Sequence, residues 1–496
     1  MTLGDHLPVL QVVVPLIAAP LCVFLRRPVL AWGFATAVSW VAFAIAVQLL
    51  DQVLGRGIWS YELGGWAPPW GIEYRVDVVN AFVLVIVAAI GAVVLPYAKT
   101  SVEAEIDPDR HHLFYAAWLL CLTGLLGIAV TGDAFNIFVF LEIASLSSYV
   151  LIAFGRDRRA LTAAFQYLVL GTIGATFIVI GIGLIYMMTG TLNLADMAAR
   201  VPEVATTTPI LAAAAFLTIG LAIKFALFPL HLWLPNAYAY APSAISAFLA
   251  ATATKVLIYV LVRFQFTVFG GGLAFQESIF SQLLIPLCVI AFLTGSTVAI
   301  FQTDGKRLLA YSSVAQIGFM VLGISFVSVN GLTGGLVHLF NHALIKAALF
   351  MVMGCVYLRI GSTRIEDMAG LGRAMPWTMF AFVIGGLGLI GVPATAGFVS
   401  KWYLVLAALE QGGFGILIAG LILLASLLAA VYIWRVVEVA YFKPRPAGAA
   451  PVAEAPLTML GPIWLLVGAN VYFGLDTELT AGTARRAAEY LLGIIP

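Results

Sequence analysis

Residues 221–255 read LAIKFALFPLHLWLPNAYAYAPSAISAFLAATATK, and this stretch decides the fold. Lys224 lies inside an apolar run, and five residues later Pro229 has to interrupt the helix because it lacks an N–H and clashes with the preceding turn. His231, Trp233 and a second proline, Pro235, follow; Pro242 then opens another apolar helix that carries Lys255. A lysine at the centre of a membrane-spanning helix costs about 2.5–3.5 kcal/mol on insertion scales. Two such cations and a broken helix need a reason other than the stability of a span.

Outward from there, the 496-residue chain is 62% hydrophobic and only 10% charged. It cannot cover a water-facing surface and reads as an all-α polytopic membrane protein. Its net charge of +1 points to no nucleic-acid partner. Cys22, Cys121, Cys288 and Cys355 lie in separate apolar runs with no metal-binding or CxxC spacing, and read as small core hydrophobes. The first apolar run lacks a basic start and a cleavage site, so it reads as a span rather than a secretory signal.

About fourteen spans are predicted, at 7–25, 29–50, 77–98, 112–131, 134–154, 162–188, 208–235, 242–268, 279–301, 307–328, 332–358, 375–410, 413–442 and 456–475. Two of them, 208–235 and 375–410, carry internal Gly/Pro breaks. With loops numbered alternately, 15 Lys and Arg fall on one side and 6 on the other, Arg263 among the 6 and Lys306 among the 15. The richer side is expected to be cytoplasmic, which places both termini outside. Segment 55–76 reads as an aromatic outer loop, 191–207 as a shorter one, and 444–456 as a flexible cytoplasmic loop. The break at Pro229 follows Lys224, whereas the break at Pro393 precedes Lys401; interrupted spans at corresponding places in two halves point to a transport site near the bilayer midplane.

Four of the seven lysines lie within spans: Lys224, Lys255, Lys346 and Lys401. Glu142, in FNIFVFLEIASLSSYV, is the mid-span acid, while Asp133 reads as a helix N-cap. Snorkelling to the headgroups is the alternative for the lysines, and a static ion pair is the alternative for Glu142. A Glu142–Lys224 pair can act as a switch, because a carboxylate holds the proton on a buried lysine and its removal favours release. His338, His342 and Lys346 recur at i, i+4 and i+8, a stripe about 12 Å long on one helix. That pattern suits a hydrogen-bonded proton relay; satisfied core histidines are the bland reading. A metal site lacks a third ligand on this helix. His231, at the Pro229 break, is either the edge of a water-lined cavity or a packing residue.

At this point a resemblance is specific. FPLHLWLPNAYAYAPSAISAFLAATATK (228–255), DGKRLLAYSSVAQIGFMVLG (304–323), LVHLFNHALIKAALFMVMG (336–354) and GVPATAGFVSKWYL (391–404) resemble the proton-translocating antiporter-like family. That family comprises the A-type and D-type subunits of Mrp-type multisubunit cation/proton antiporters, the antiporter-like subunits of respiratory complex I, and membrane-bound hydrogenase subunits. The likeness runs from about residue 77 to 410, and length and Lys401 favour the D-type Mrp group. It implies N-terminal helices over 1–111, inverted five-helix repeats at 112–268 and 279–442, each with one broken helix, and a cytoplasmic loop and C-terminal helix over 443–496. It also implies a proton relay of Glu142, Lys224, Lys255, His338, His342, Lys346 and Lys401 with no cofactor and no metal.

The implied setting is the inner membrane of a prokaryote. The partners would be other membrane subunits of a hetero-oligomeric Na+/H+ antiporter complex, with protons and Na+ as the ions. Redox-driven pumping and bicarbonate uptake are the alternative settings within the family. A standalone solute transporter and a scaffold with vestigial charges are the alternatives outside it. Two positions depart from the family pattern: Asn236 stands where an acid is common, and Ala394 where a second proline is common.

Overall fold

The computed structural model describes residues 3–270, 282–448 and 450–495. The chain begins with α1 (Leu7–Phe24) and α2 (Pro28–Arg56), then a short antiparallel hairpin, β1 (Trp59–Glu62) with β2 (Glu73–Val76), where a loop was expected. Next come α3 (Val78–Glu105), α4 (His111–Val130), α5 (Ala134–Ala153) and α6 (Arg158–Thr189). The expected loop at 191–207 contains α7 (Leu194–Val204). The first broken helix is α8 (Thr208–Lys224) with α9 (Trp233–Tyr240), and α10 (Ser243–Ala251) and α11 (Ala253–Val262) follow. The second half holds α12 (Ile285–Ile300), α13 (Gly305–Ser325), α14 (Val329–Ile360), the second broken helix α15 (Pro376–Ile390) with α16 (Ala396–Leu409), and α17 (Gly413–Val437). Two helices close the chain, α18 (Leu457–Leu475) and α19 (Thr483–Leu491).

Among the described residues, 12 helices are long and apolar enough to cross a membrane. With the two broken helices they match the fourteen expected spans. The expected start of the ninth span, at 279, lies outside the described residues.

Polar residues set the helix starts. Asp77 and Asn80 form a reciprocal capping box on α3, Asp133 accepts from Asn136 N on α5, and Asp304 accepts from Arg307 N on α13. Each satisfies backbone donors that have no partner inside the helix. In the first half α4 packs on α5, α5 on α6, and α6 on α8; in the second, α12 packs on α13, α13 on α14, and α14 on α15 and α16. Helix α14 is the hub and touches α3, α10, α13, α15, α16, α18 and α19. At the α6–α8 crossing Gly220 meets Gly174 backbone to backbone; a Cβ on Gly220 would stand 2.7 Å from the Gly174 carbonyl oxygen. That close approach brings the end of α8, with Lys224, against α6.

Both breaks hold a non-glycine residue in the left-handed region: Ala226 at φ 61° and Ala394 at φ 68°. A third discontinuity was not expected. The span predicted as continuous over 242–268 is interrupted at Thr252 (φ −122°, ψ −58°), three residues before Lys255. The Thr252 hydroxyl donates to Phe248 O at 2.7 Å, so the side chain competes for a carbonyl of the preceding turn.

Candidate functional site

Each of the four lysines within spans is at most 6% exposed, so none snorkels to a membrane surface. Lys224 lies at the last turn of α8. Its Nζ is 3.5 Å from Glu142 Oε1 and donates to Ser145 Oγ at 2.8 Å. Glu142 and Ser145 are three residues apart on α5 and therefore share a face. The burial of the pair is unequal: the Lys224 side chain is 1% exposed and that of Glu142 is 30%. A cavity of about 20 Å³ touches Lys224, Ser145 and Ser148 on one side and Ala253 and Leu257 of α11 on the other. That is room for about one water between Lys224 and the helix of Lys255.

Lys255 Nζ donates to Ala250 O, just before the Thr252 discontinuity, and lies 3.3 Å from Thr254 Oγ1. It is within electrostatic reach of His338, His342 and Lys346. Lys346, on α14, donates to Leu309 O at 2.7 Å and to Ser312 Oγ, both on α13.

The histidine stripe divides into two environments. His338 is held on both sides, Nε2 by Gln316 Oε1 at 2.8 Å and Nδ1 by Ser400 Oγ at 2.9 Å. Ser400 Oγ also lies 3.1 Å from Gly397 O. Its proton can therefore point at His338 Nδ1, which suits a neutral ring, or at Gly397 O, which suits a doubly protonated one. His338 can change protonation state without moving. His342 is 1% exposed, its ring is 6.3 Å from that of His338, and neither of its nitrogens has a protein partner. A core histidine retained only for packing would leave that unmet demand uncompensated, at a cost of about 1–3 kcal/mol.

Lys401 is held differently from Lys224. Its Nζ donates to Leu389 O at 3.1 Å, Ile390 O at 2.7 Å and Ser426 Oγ at 2.9 Å, and lies 5.2 Å from the Phe319 ring centre. The two carbonyls end the half-helix α15, where the helix dipole favours a cation. Gly391 makes this possible: at φ 87° it turns the chain, and a Cβ there would stand 2.8 Å from Lys401 Cδ.

His231 stacks on Phe228 and meets the edge of Tyr311, with ring centres 5.2 and 6.4 Å away and Nδ1 unpartnered. The cavity beside Lys224 is not lined by it. Asn236 donates to Gln166 Oε1 at 3.0 Å.

Two loop assignments need correction. Arg263 and Lys306, both counted with the loops, are each 4% exposed. Arg263 pairs with Asp77 at 2.5 Å, and Lys306, one residue into α13, donates to Ala241 O at 3.2 Å. The 15-to-6 bias loses one cation on each side and keeps its direction. Sequence reasoning also missed Ser145, Ser312, Gln316, Ser400 and Ser426. Gln316, a polar side chain in the apolar run SVAQIGF, was the one with a visible signal.

Two interrupted helices and a file of buried lysines between them define an antiporter-like membrane subunit. The chain belongs to the NADH:quinone oxidoreductase/Mrp antiporter transmembrane family, whose match covers residues 131–428. It is 43% identical to the NADH-quinone oxidoreductase subunit N of Desulforudis audaxviator (strain MP104C), over 95% of this chain and 96% of that protein. To the D-type subunit of the Na(+)/H(+) antiporter of Bacillus subtilis (strain 168) it is 30% identical, over 98% of this chain and 97% of that one. Among solved structures, a chain of the Mrp complex from Dietzia sp. DQ12-45-1b superposes with a TM-score of 0.90 at 26% identity, covering 99% of this chain and 98% of that one. The resemblance to the D-type Mrp subunit thus extends over almost the whole length.

Proposed function

We propose that this chain is the proton-carrying subunit of a multisubunit Na+/H+ antiporter in a prokaryotic inner membrane. Protons pass along Glu142, Lys224, Lys255, Lys346, His342, His338 and Lys401. The observation that carries the reading is the file itself: four lysines and two histidines, all buried, with, among the described residues, only one carboxylate paired to them. Ammonium groups held by serines and backbone carbonyls can give up a proton without leaving a buried carboxylate behind.

The helix breaks at Pro229 and Pro393 set the ends of the file, and the repeats run over 112–268 and 279–442. The cation bias of the loops supports a topology with both termini outside. Other membrane subunits are the partners. Glu142 shares its face of α5 with Phe135, Val139, Leu146 and Val150, all exposed on the single chain. A carboxylate in the middle of an apolar stripe is costly against lipid, so a neighbouring subunit covers it.

The second reading is the proton-pumping subunit of a redox-driven complex. It is favoured by the 43% identity to an NADH-quinone oxidoreductase subunit N. Purifying the native assembly separates the two: Na+-dependent proton flux in vesicles supports the first, and quinone-linked electron transfer coupled to proton flux supports the second. Wild-type proton flux in both Glu142→Ala and Lys224→Ala assemblies would sink the relay in either setting.

A further inference from the structure

A cavity of about 570 Å³ opens between the two halves of the chain, and none of the relay residues lines it. The first half gives it Glu105 at the end of α3, Arg156, Asp157 and Arg159 at the α5–α6 junction, and residues 239–242 at the α9–α10 junction. The second half gives it Lys306 and Arg307 in the first turn of α13 and residues 361–364 beyond α14. These connections belong to the cation-rich side of the chain.

Five cations line the wall, Arg156, Arg159, Lys306, Arg307 and Arg364, against three carboxylates, Glu105, Asp157 and Asp304. Each carboxylate is already engaged. Glu105 accepts from Ser101 and from the N–H and hydroxyl of Ser243, Asp157 is paired with Arg159, and Asp304 accepts from Arg307 N and the Thr363 hydroxyl. Arg156 and Arg364 meet acids outside the wall, Asp107 and Glu366, in exposed pairs that hold them weakly. Among the described residues, Lys306 and Arg307 form no ion pair. Lys306 is 4% exposed, and Ala241 O at 3.2 Å takes only one of its three N–H donors, although Glu105 and Asp304 lie within electrostatic reach. The Arg307 guanidinium lies 3.5 Å from the Tyr240 hydroxyl, and the Tyr240 ring carries that of Arg159 on its face at 4.6 Å. Both Lys306 and Arg307 stand at the positive end of the α13 dipole, where cations are disfavoured. A preference for cations on one side of the membrane is met by side chains in water, and does not explain one buried in a cavity wall.

We propose that this cavity binds a phosphate group, held by Lys306 and Arg307 at the start of α13. Phosphate oxygens supply the acceptors that the Lys306 ammonium and the Arg307 fork lack, in charge-assisted hydrogen bonds. The backbone N–H groups at a helix start favour the same charge. Arg156 and Arg364 can turn from their exposed acids towards it. The same chemistry comes from two sources, the head group of an anionic phospholipid and dissolved phosphate, and basic pockets between helices on the cation-rich side suit the first. Lys306 already ties α13 to Ala241, just before α10. A phosphate on Lys306 therefore braces the second half of the chain against the segment that leads to Lys255. The proposal does not depend on the relay, only on this wall.

The test uses the purified native assembly carrying Ala239→Cys, a half-buried position in the cavity wall, and follows its labelling by a soluble maleimide. The four native cysteines of this chain are buried and should not react. One arm adds inorganic phosphate, against chloride at equal ionic strength, in a neutral detergent. The other compares phosphatidylcholine nanodiscs with and without cardiolipin. Labelling is expected to slow at least about threefold at saturation in one arm or both. Protection by phosphate alone assigns the site to the dissolved ion, protection by cardiolipin alone to the head group, and protection by both to their shared chemistry. In the same background, Arg307→Gln and Lys306→Gln should each raise the half-protecting concentration at least about tenfold. No protection in either arm overturns the proposal, and so does protection that survives unchanged in Arg307→Gln. Should Lys306→Gln fail to assemble, Arg307→Gln, at a half-buried side chain, decides.

Discussion

The two helix breaks solve one problem in different ways. In the first, the lysine belongs to the half-helix before the break, and an acid from another helix holds it: Lys224 faces Glu142 and Ser145. A carbonyl at that break, Ile223 O, accepts the Trp233 indole N–H at 2.9 Å beside the backbone N–H of Ala226 at 3.3 Å. In the second, the lysine comes after the break and itself takes the leftover carbonyls, Leu389 O and Ile390 O. So in the first half, charge compensation and helix capping fall to different side chains. In the second, one ammonium does both. A charged lysine has three N–H donors and Lys401 has three acceptors; a neutral amine has two donors. Loss of the proton at Lys401 must therefore loosen the end of α15, whereas loss at Lys224 leaves the Trp233 cap in place.

That contrast can be broken most decisively by arginine. Lys224→Arg and Lys401→Arg keep a cation but remove a titratable one, and each should lower proton flux by roughly 10²-fold or more. Wild-type flux in Lys401→Arg would reduce Lys401 to a helix cap and end the comparison. A smaller effect sharpens it. In double-mutant cycles on flux, Glu142→Gln and Lys224→Met should couple by about 1–2 kcal/mol, while Glu142→Gln and Lys401→Met should add within about 0.5 kcal/mol. Next comes Trp233→Phe, which should cost about 1 kcal/mol of stability for the lost hydrogen bond and leave flux near wild type, read as a lowered unfolding midpoint. The smallest change is expected at the left-handed residues: Ala226→Gly and Ala394→Gly should each raise the midpoint slightly, by relief of roughly 1 kcal/mol of backbone strain offset by the flexibility of glycine.

The lysine file was legible because a cation in an apolar run has no ordinary explanation, and the two breaks were legible because their prolines stand beside those lysines, whereas Pro15, Pro20 and Pro96 lie inside continuous helices. The partners within the file were not. Ser145 and Lys224 are 79 positions apart, and His338 and Ser400 are 62 apart; serine is unremarked in such helices, and only packing selects which one turns inward. The discontinuity at Thr252 escaped because no proline or glycine marks it, and a threonine hydroxyl competing for a carbonyl looks like any other threonine. Arg263 and Lys306 were misplaced for a related reason: a cation near a span end reads as a loop cation until the opposing helix is known, here α3 with Asp77 for Arg263 and the Ala241 carbonyl for Lys306.

The partly exposed carboxylate on α5 has a consequence for biogenesis. A newly inserted chain that has not met its neighbour displays Glu142 to lipid along an otherwise apolar stripe. Such a chain is costly to keep in the bilayer and easy for membrane quality control to distinguish from an assembled one. The same acid that holds Lys224 thereby ties the lifetime of the orphan subunit to the supply of its partner, and cells expressing this chain alone should clear it faster than cells expressing Glu142→Gln.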